Sequence, residues 1–329
     1  MFPHLTADII EDSILHLSRD LLGVLLFDRS TQKNIIWATD DYMALGPGYQ
    51  REDEILPELI TGEHTLLVRP RTAKAVESQQ TRVRDRAEVF TPSWICNEQN
   101  NLVDDAWFGR QNVFNCASDK AWVPSPEKIH FPETGERTWQ HYVDANRLEI
   151  SCGEAPYIVS RYDATTGEMI PLPNRIGLLD RKLRVVNENT VEEDEWITWA
   201  IRAVQSIYGF EFQGDSLLLA RENVFITFLE YYNDRYHSLP GEDILNKVAT
   251  IISWNLWQMD GLKLVSPYSC KPSVWEEFSF FGSTVHEVPC PGCQKNDNSK
   301  HSGIYCIIMD WRENQTFRYI DLMKGDKRI

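Results

Sequence analysis

Ser206-Ile-Tyr-Gly-Phe-Glu-Phe212 is a short apolar run with an acid near its end, and it reads as a strand. The segment that follows, Asp215 to Tyr232, places Leu217, Leu218, Val224, Phe225, Phe228 and Leu229 at helical spacing. Upstream, Leu148 to Cys152 (LEISC) reads as a strand ending at Gly153, and Glu192 to Val204 as the helix between the two strands. Downstream, Asp243 to Ile252 reads as a helix and Ser253 to Met259 as a third strand ending at Asp260. Strands that alternate with helices predict an α/β fold built on a parallel, doubly wound sheet.

Around this centre the chain divides into three expected units. Residues 1–80 read as a small N-terminal α/β unit. In it, a helix from Asp8 to Leu26 feeds a strand at Gly23 to Phe27, Pro47-Gly48 and Thr61-Gly62 mark turns, and His64 to Val68 is a further strand. Residues 81–268 carry the sheet. Residues 269–329 form a loop-rich, cysteine-bearing tail closed by a strand from Tyr305 to Trp311. Ser78 to Arg86 reads as a solvated linker, with phosphate contact by Arg82, Arg84 and Arg86 as the alternative.

Composition narrows the class. The 329 residues hold 33 Lys and Arg against 49 Asp and Glu, a formal charge of −16 with His neutral. A free-standing DNA binder needs a basic face for its phosphate contacts, so any work on nucleic acid calls for a local patch or a partner. No apolar run is long enough to span a membrane, and the acids in MFPHLTADIIEDS do not suit a signal peptide. The expectation is a soluble, cytoplasmic protein without membrane contact. Seven cysteines, an odd number, argue against a disulfide framework.

The three strands end in order on Glu149 with Gly153, on Glu211, and on Asp260. In an open parallel sheet, ligands bind beyond the carboxyl ends of the strands. A glycine after the first strand lets a ligand approach the backbone, and an acid after the second can accept both hydroxyls of a ribose. An acid closing a strand also serves as a helix cap, and that reading stands beside the first.

With these residues in place, the sequence resembles the DNA adenine-N6 methyltransferases of restriction–modification systems, and in particular their modification (M) subunits. Arg86-Ala-Glu-Val-Phe90-Thr91-Pro92 is similar to the family's EVFTP signature, which implies that Phe90, Thr91 and Pro92 pack over the methionine part of S-adenosylmethionine (SAM). Glu149-Ile-Ser151-Cys-Gly153-Glu-Ala155 resembles the family's first cofactor loop. Ser206 to Arg221 resembles the second motif, in which Glu211 would hold the ribose hydroxyls and Phe212 would border the adenine. Asn255 to Leu262 resembles the third, with Asp260 near adenosine or the reacting centre. The resemblance covers about residues 82–265 and implies a Rossmann-like sheet that binds SAM.

The departures shape the functional expectation. Ala155 and Pro156 stand where the family's loop has glycine and a freer residue. The catalytic tetrapeptide (Asn, Asp or Ser, then Pro-Pro, then Tyr or Phe) is absent; Ser266-Pro267-Tyr268 is one proline short and is a weak candidate against a plain turn. Asp321 to Ile329 lies where the family would run into its catalytic strand. A split enzyme is therefore expected: this chain binds SAM, and a companion methyltransferase or specificity subunit brings the tetrapeptide and the DNA contacts. The alternatives are a non-catalytic SAM-sensing scaffold and a zinc-stabilised nucleic-acid-binding module.

The zinc alternative rests on Cys290-Pro-Gly-Cys293, with His301 and Cys306 following and Cys270 ahead. Two ligands on a tight turn and two more nearby can wrap one tetrahedral zinc. Cys290, Cys293, His301 and Cys306 are the expected ligands, with Cys270 in reserve; a loop with incidental thiols is the other reading. A redox role is disfavoured, since no helix start is expected after Cys290 to lower its pKa. His141 and Tyr142 read as core or surface residues, with ligand contact as the alternative; Trp94, Trp107, Phe108 and Trp122, in a loop-rich insertion, read as packing aromatics, with base stacking as the alternative, and Asp180-Arg181 as a charged turn.

Overall fold

The computed structural model describes residues 11–74, 91–133, 135–280 and 282–323. In chain order it holds helices α1 (Glu11–Leu17) and α2 (Leu21–Leu26) and a small antiparallel pair, β1 (Phe27–Asp28) with β2 (Lys33–Asn34). Short 3-10 turns between Met43 and Ala73 follow, then α3 (Ser93–Phe108), the antiparallel β3 (Asn115–Ser118) and β4 (Ala121–Pro124), and α4 (Trp139–Asp144). The central run is β5 (Arg147–Ile150), α5 (Leu178–Asn189), α6 (Glu193–Gln205), β6 (Ile207–Glu211), α7 (Gly214–Tyr236), α8 (Glu242–Asn255) and β7 (Leu256–Gln258). The tail carries a hairpin of β8 (Ser273–Ser279) and β9 (Gly282–Val288), then α9 (Pro291–Lys295), the pair β10 (Ile307–Asp310) and β11 (Gln315–Arg318), and α10 (Tyr319–Met323).

The fold is mixed α/β. β5, β6 and β7 make one parallel sheet in that order, with Glu149 opposite Gly209 and Phe210 opposite Trp257. Every residue of β6 and β7 is buried, which is the pattern of strands covered on both faces. α7 supplies most of one cover and is buried over nearly its whole length. On the other face Tyr208, Phe210 and Trp257 pack with Met259, just after β7, and with Ile308, Tyr319 and Ile320 of the tail. Among the described residues β5 is an edge strand, and there the cover stops: Leu148 is 45% and Ile150 67% exposed.

Several expectations give way. The third strand is shorter than expected because α8 runs on to Asn255, whose side-chain amide donates to the carbonyls of Val204, Gln205 and Ile207 and so fixes the helix end against β6. Gly23 to Phe27 is mostly helix, since Leu21, Leu22, Leu25 and Leu26 are buried at helical spacing. His64 to Val68 forms turns rather than a strand. The segment after Pro92 is the helix α3, which carries Trp94, Trp107 and Phe108. Asp180 and Arg181 sit buried inside α5, where Arg181 pairs with Asp104 at 2.6 Å. The tail contains a full hairpin at β8 and β9. Arg82, Arg84, Arg86 and Phe90 lie outside the described residues.

The N-terminal segment does not pack by itself. Leu21, Leu25, Ile35, Trp37 and Ile55 share one apolar cluster with Leu217, Phe225 and Val248, because two helices this short cannot enclose a core of their own. Three contacts seat it on the sheet. The Gln258 side chain donates to Ile36 O at 2.8 Å and accepts from Ile36 N at 2.9 Å, imitating a strand partner. Gly214 N donates to Trp37 O at 2.9 Å. A Cβ on Gly214 would fall on the Ile36 carbonyl and lie 3.0 Å from Ile55 Cδ1. Gly214→Ala is therefore expected to destabilise the fold by about 3 kcal/mol or more, read as a shift of the urea midpoint. A loss under about 0.5 kcal/mol would mean that the strap, the segment from Ile35 to Ile55 that crosses Gly214, moves freely.

Candidate functional site

β5 and β6 run parallel, so their carboxyl ends and the loops after them point the same way. Between those ends opens a cleft of about 760 Å³. Its floor is Glu149, Ile150, Ser151, Cys152 and Gly153; its walls include Thr91, Tyr157, Glu211 and Phe212. The remaining walls come from segments with no cofactor motif in the sequence: Ala38 to Asp40 of the strap, and Tyr268.

The loop after β5 turns tightly. Ser151, Gly153 and Ala155 have positive φ, at 48°, 53° and 63°. Only glycine adopts that conformation without cost, so Ala155 occupies a left-handed position that its Cβ disfavours. The loop is held by acids. Glu211 Oε2 accepts from Gly153 N at 2.9 Å, while Oε1 accepts from Phe212 N at 2.8 Å and Gln213 N at 3.2 Å. Glu149 accepts from Ile158 N at 3.1 Å, and Glu154 accepts from Arg71 N at 2.7 Å and from the Tyr162 hydroxyl at 2.6 Å. Burial pushes the Glu149 carboxyl up to about 8, with the nearby Glu211 charge adding to it and the two backbone donors opposing it.

Some expected residues fall elsewhere. Asp260 does not line the cleft; its carboxylate accepts from Leu262 N and Lys263 N and pairs with Lys263 Nζ at 3.1 Å, closing its own turn. Pro92 lies at the start of α3, at the edge of a neighbouring groove. Of Ser266, Pro267 and Tyr268 only Tyr268 reaches the cleft, for Ser266 is buried beside Cys306 and its amide donates to Ile304 O. Its ring meets that of Phe212 edge-on at 5.8 Å, and the Arg51 guanidinium, paired with Asp40, lies 5.9 Å above it.

The second constellation is in the tail. The hairpin brings the chain back on itself, so Cys270 before it and Cys290 after it meet. Cys270, Cys290, Cys293 and His301 offer ligand atoms that all lie within 4.8 Å of one another, a group that could hold a metal ion. His301 Nδ1 is 3.5 Å from Cys270 Sγ and 3.6 Å from Cys290 Sγ and Cys293 Sγ. Tetrahedral zinc, with bonds of about 2.3 Å to sulfur and about 2.05 Å to nitrogen, has an S···N edge of about 3.6 Å. Two glycines permit this closeness: a Cβ on Gly292 would lie 2.6 Å from His301 Nδ1, and one on Gly303 2.9 Å from Cys270 Sγ.

Cys270 thus replaces Cys306 in the expected set. Cys306 is fully buried, with its Sγ 3.4 Å from Gln258 O. The spacing after Cys293 had favoured the nearer cysteine; an intervening hairpin overrides distance along the chain. A short helix does begin after Cys290, contrary to expectation. Burial works against ionisation of Cys290, but donors from Ser302 and the Cys293 amide bring the thiol down to about 5, so it is a thiolate, the ligating form, at neutral pH.

Comparison of the chain with protein-family models, with characterised proteins and with solved structures finds no match. The functional reading therefore rests on the site itself.

Two outcomes test the site. A folded-state pKa raised to about 8 means that Glu149 favours folding fully below its ordinary 4.5 and loses that contribution as the pH rises towards 8. Glu149→Gln, which carries no ionisable proton, should gain on the wild type by roughly 3 kcal/mol between about pH 5 and pH 8 in urea unfolding. Equal slopes would place Glu149 in solvent. For the metal group, Cys270→Ser should weaken zinc affinity by about a hundredfold or more, whereas Cys306→Ser leaves it unchanged in a chelator competition.

Proposed function

We propose that this chain is the SAM-binding subunit of a DNA adenine-N6 methyltransferase of a restriction–modification system, with a companion subunit supplying the catalytic tetrapeptide and the DNA contacts. The observation that carries the reading is the cleft at the carboxyl ends of β5 and β6, where Glu211 closes the second strand 2.9 Å from the Gly153 amide of the first loop. Ligands of open parallel sheets bind at that place, and about 760 Å³ lies within the range of cofactor pockets.

The lining fits the chemistry of the cofactor. Glu211 offers carboxylate oxygens to the ribose hydroxyls. Gly153, without a side chain, lets the ligand come close to the backbone. Phe212 and Tyr268 offer ring faces to the adenine, and Thr91 flanks the amino-acid end. When bound, SAM supplies a methyl group on a sulfonium centre that needs no further activation. The chain's own residues then have one task, to hold the cofactor in a single orientation towards the incoming amine.

Support for a companion comes from the sheet edge. Among the described residues β5 pairs on one side only, and its exposed Leu148 stands next to the cleft residues Glu149 and Ile150, so a strand from another polypeptide can add there. Zinc in the Cys270, Cys290, Cys293 and His301 group is proposed as structural, since four protein ligands leave no open position. The sequence has no catalytic tetrapeptide, which makes a SAM-sensing scaffold the second reading.

Calorimetric titration of the purified chain with SAM tests the first claim. Micromolar binding is expected, with Glu211→Ala weaker by at least about tenfold, a loss of roughly 1.4 kcal/mol. No binding by the wild type overturns the reading. Reconstitution with a polypeptide bearing the tetrapeptide then separates the two forms: adenine methylation that Leu148→Lys, outside the cleft lining, abolishes while SAM binding persists favours the split enzyme, and binding without transfer favours the scaffold.

A further inference from the structure

The metal group and the cleft share one short stretch of chain. Tyr268, which lines the cleft, stands two residues before Cys270 and has a φ of 54°, a backbone conformation that non-glycine residues rarely keep unaided. Its neighbours are laced to the segment that carries His301. Ser266 N donates to Ile304 O at 2.8 Å, Ile304 N donates to Ser269 Oγ at 3.0 Å, and Ser302 Oγ donates to Lys271 O at 3.0 Å. Ser269 Oγ in turn donates to Ser266 O at 2.6 Å. Gly303 lies directly under this stretch, where a Cβ would be 2.5 Å from Ser269 Oγ.

On its other side the same stretch grips the strap that forms the facing wall. Arg51 lies over the Tyr268 ring and pairs with Asp40, a cleft residue, and Lys271 pairs with Glu52 at 2.6 Å. Tyr268 is therefore held between a four-ligand group behind it and the residue 40–52 strap in front of it. A metal ion is the one component that would bind Cys270 and His301 together with a strength that hydrogen bonds to exposed groups do not reach.

We infer that occupation of the Cys270, Cys290, Cys293 and His301 group by zinc positions Tyr268 and, through Arg51 and Asp40, the mouth of the cleft, so that metal binding and cofactor binding are thermodynamically linked. The inference rests on the proposed reading of the cleft as a SAM site. Tyr268 is the ligand-contacting residue that the metal positions, and the tie between the sites is a continuous run of named contacts rather than nearness alone.

Linkage is reciprocal, which makes the test strict. S-adenosylhomocysteine, the demethylated product, is titrated into the zinc-loaded full chain and into the same chain after chelation. Loss of zinc should weaken binding by at least about fivefold, and saturating S-adenosylhomocysteine should tighten zinc by the same factor in a chelator competition. Tyr268→Ala should abolish that mutual factor while leaving zinc affinity without the ligand unchanged. If chelation unfolds the chain, Cys293→Ser, whose thiol is exposed and which keeps three ligands, carries the same comparison.

Hydrogen exchange without any cofactor provides the independent readout. Zinc should protect the amides of Tyr268 and Ser269 and also those of Thr39 and Asp40 across the cleft. Protection confined to residues 285–305 overturns the inference, as does equal ligand affinity with and without zinc. If neither form binds the ligand while protection still reaches Asp40, the SAM reading falls and the coupling stands.

Discussion

The fold depends on one buried cation. Arg221, in the middle of α7, has no solvent exposure, and its guanidinium donates to Leu256 O at 2.7 Å, Leu25 O at 2.5 Å, Phe27 O at 3.2 Å and Ser253 O at 3.4 Å. Leu25 and Ser253 lie in the last turns of α2 and α8, where helix carbonyls have no partner in their own helix. The negative ends of two helix dipoles therefore converge on one positive charge. Burial lowers the Arg221 pKa to about 10, which still leaves it charged at neutral pH, with Asp28 helping to keep it so. This contact ties the N-terminal segment, α8 and β7 to the central helix in one step. A neutral residue of similar size would leave those carbonyls buried without donors.

From that anchor the cleft follows by geometry. With α2 fixed, the chain leaving it runs past β7, where Gln258 pairs with Ile36 as if it were a neighbouring strand. Trp37 then closes over Gly214 at the start of α7, and Ala38 to Asp40 come to lie on the cleft. The site is thus assembled from five separate stretches: the loop after β5, the end of β6 with the start of α7, Thr91, Tyr268, and the segment Ala38 to Asp40 that precedes them all in sequence. Tyr42 and Lys74 add a further hold through Asp215, at 2.9 and 3.2 Å.

What could be read in the sequence, and what could not, divides along the range of the interactions. The strands at Leu148 and Ser206 and the long helix after Asp215 show themselves through local periodicity, and Glu149, Gly153 and Glu211 are found because each ends an apolar run. The wall made by Ala38 to Asp40 carries no such signal, for it depends on Gln258 acting in place of a backbone. A Gln inside an apolar strand is the one hint of it in the sequence. Cys270 was second choice to Cys306 for a similar reason: spacing along the chain ranks ligands by local turns, whereas the β8–β9 hairpin joins distant residues. Asp180 and Arg181 look like a surface turn until Ser160, Asp104 and Asn97 supply their buried partners.

Charge makes the division of labour in the proposed function physically coherent. SAM carries a sulfonium and an ammonium against one carboxylate, so it enters as a net cation. Glu211 on the cleft lining favours such a ligand and disfavours phosphate. DNA, with its phosphate charge, would meet a chain of net charge −16 and be repelled at long range. A companion that covers the β5 edge resolves the conflict if it is basic: its apolar strand would cover Leu148 and Ile150, and its charge would draw in DNA and pair with the acidic surface of this chain. On that reading the acidity of the chain has two effects, attracting the cofactor to the cleft and steering the basic companion to the uncovered edge of the sheet.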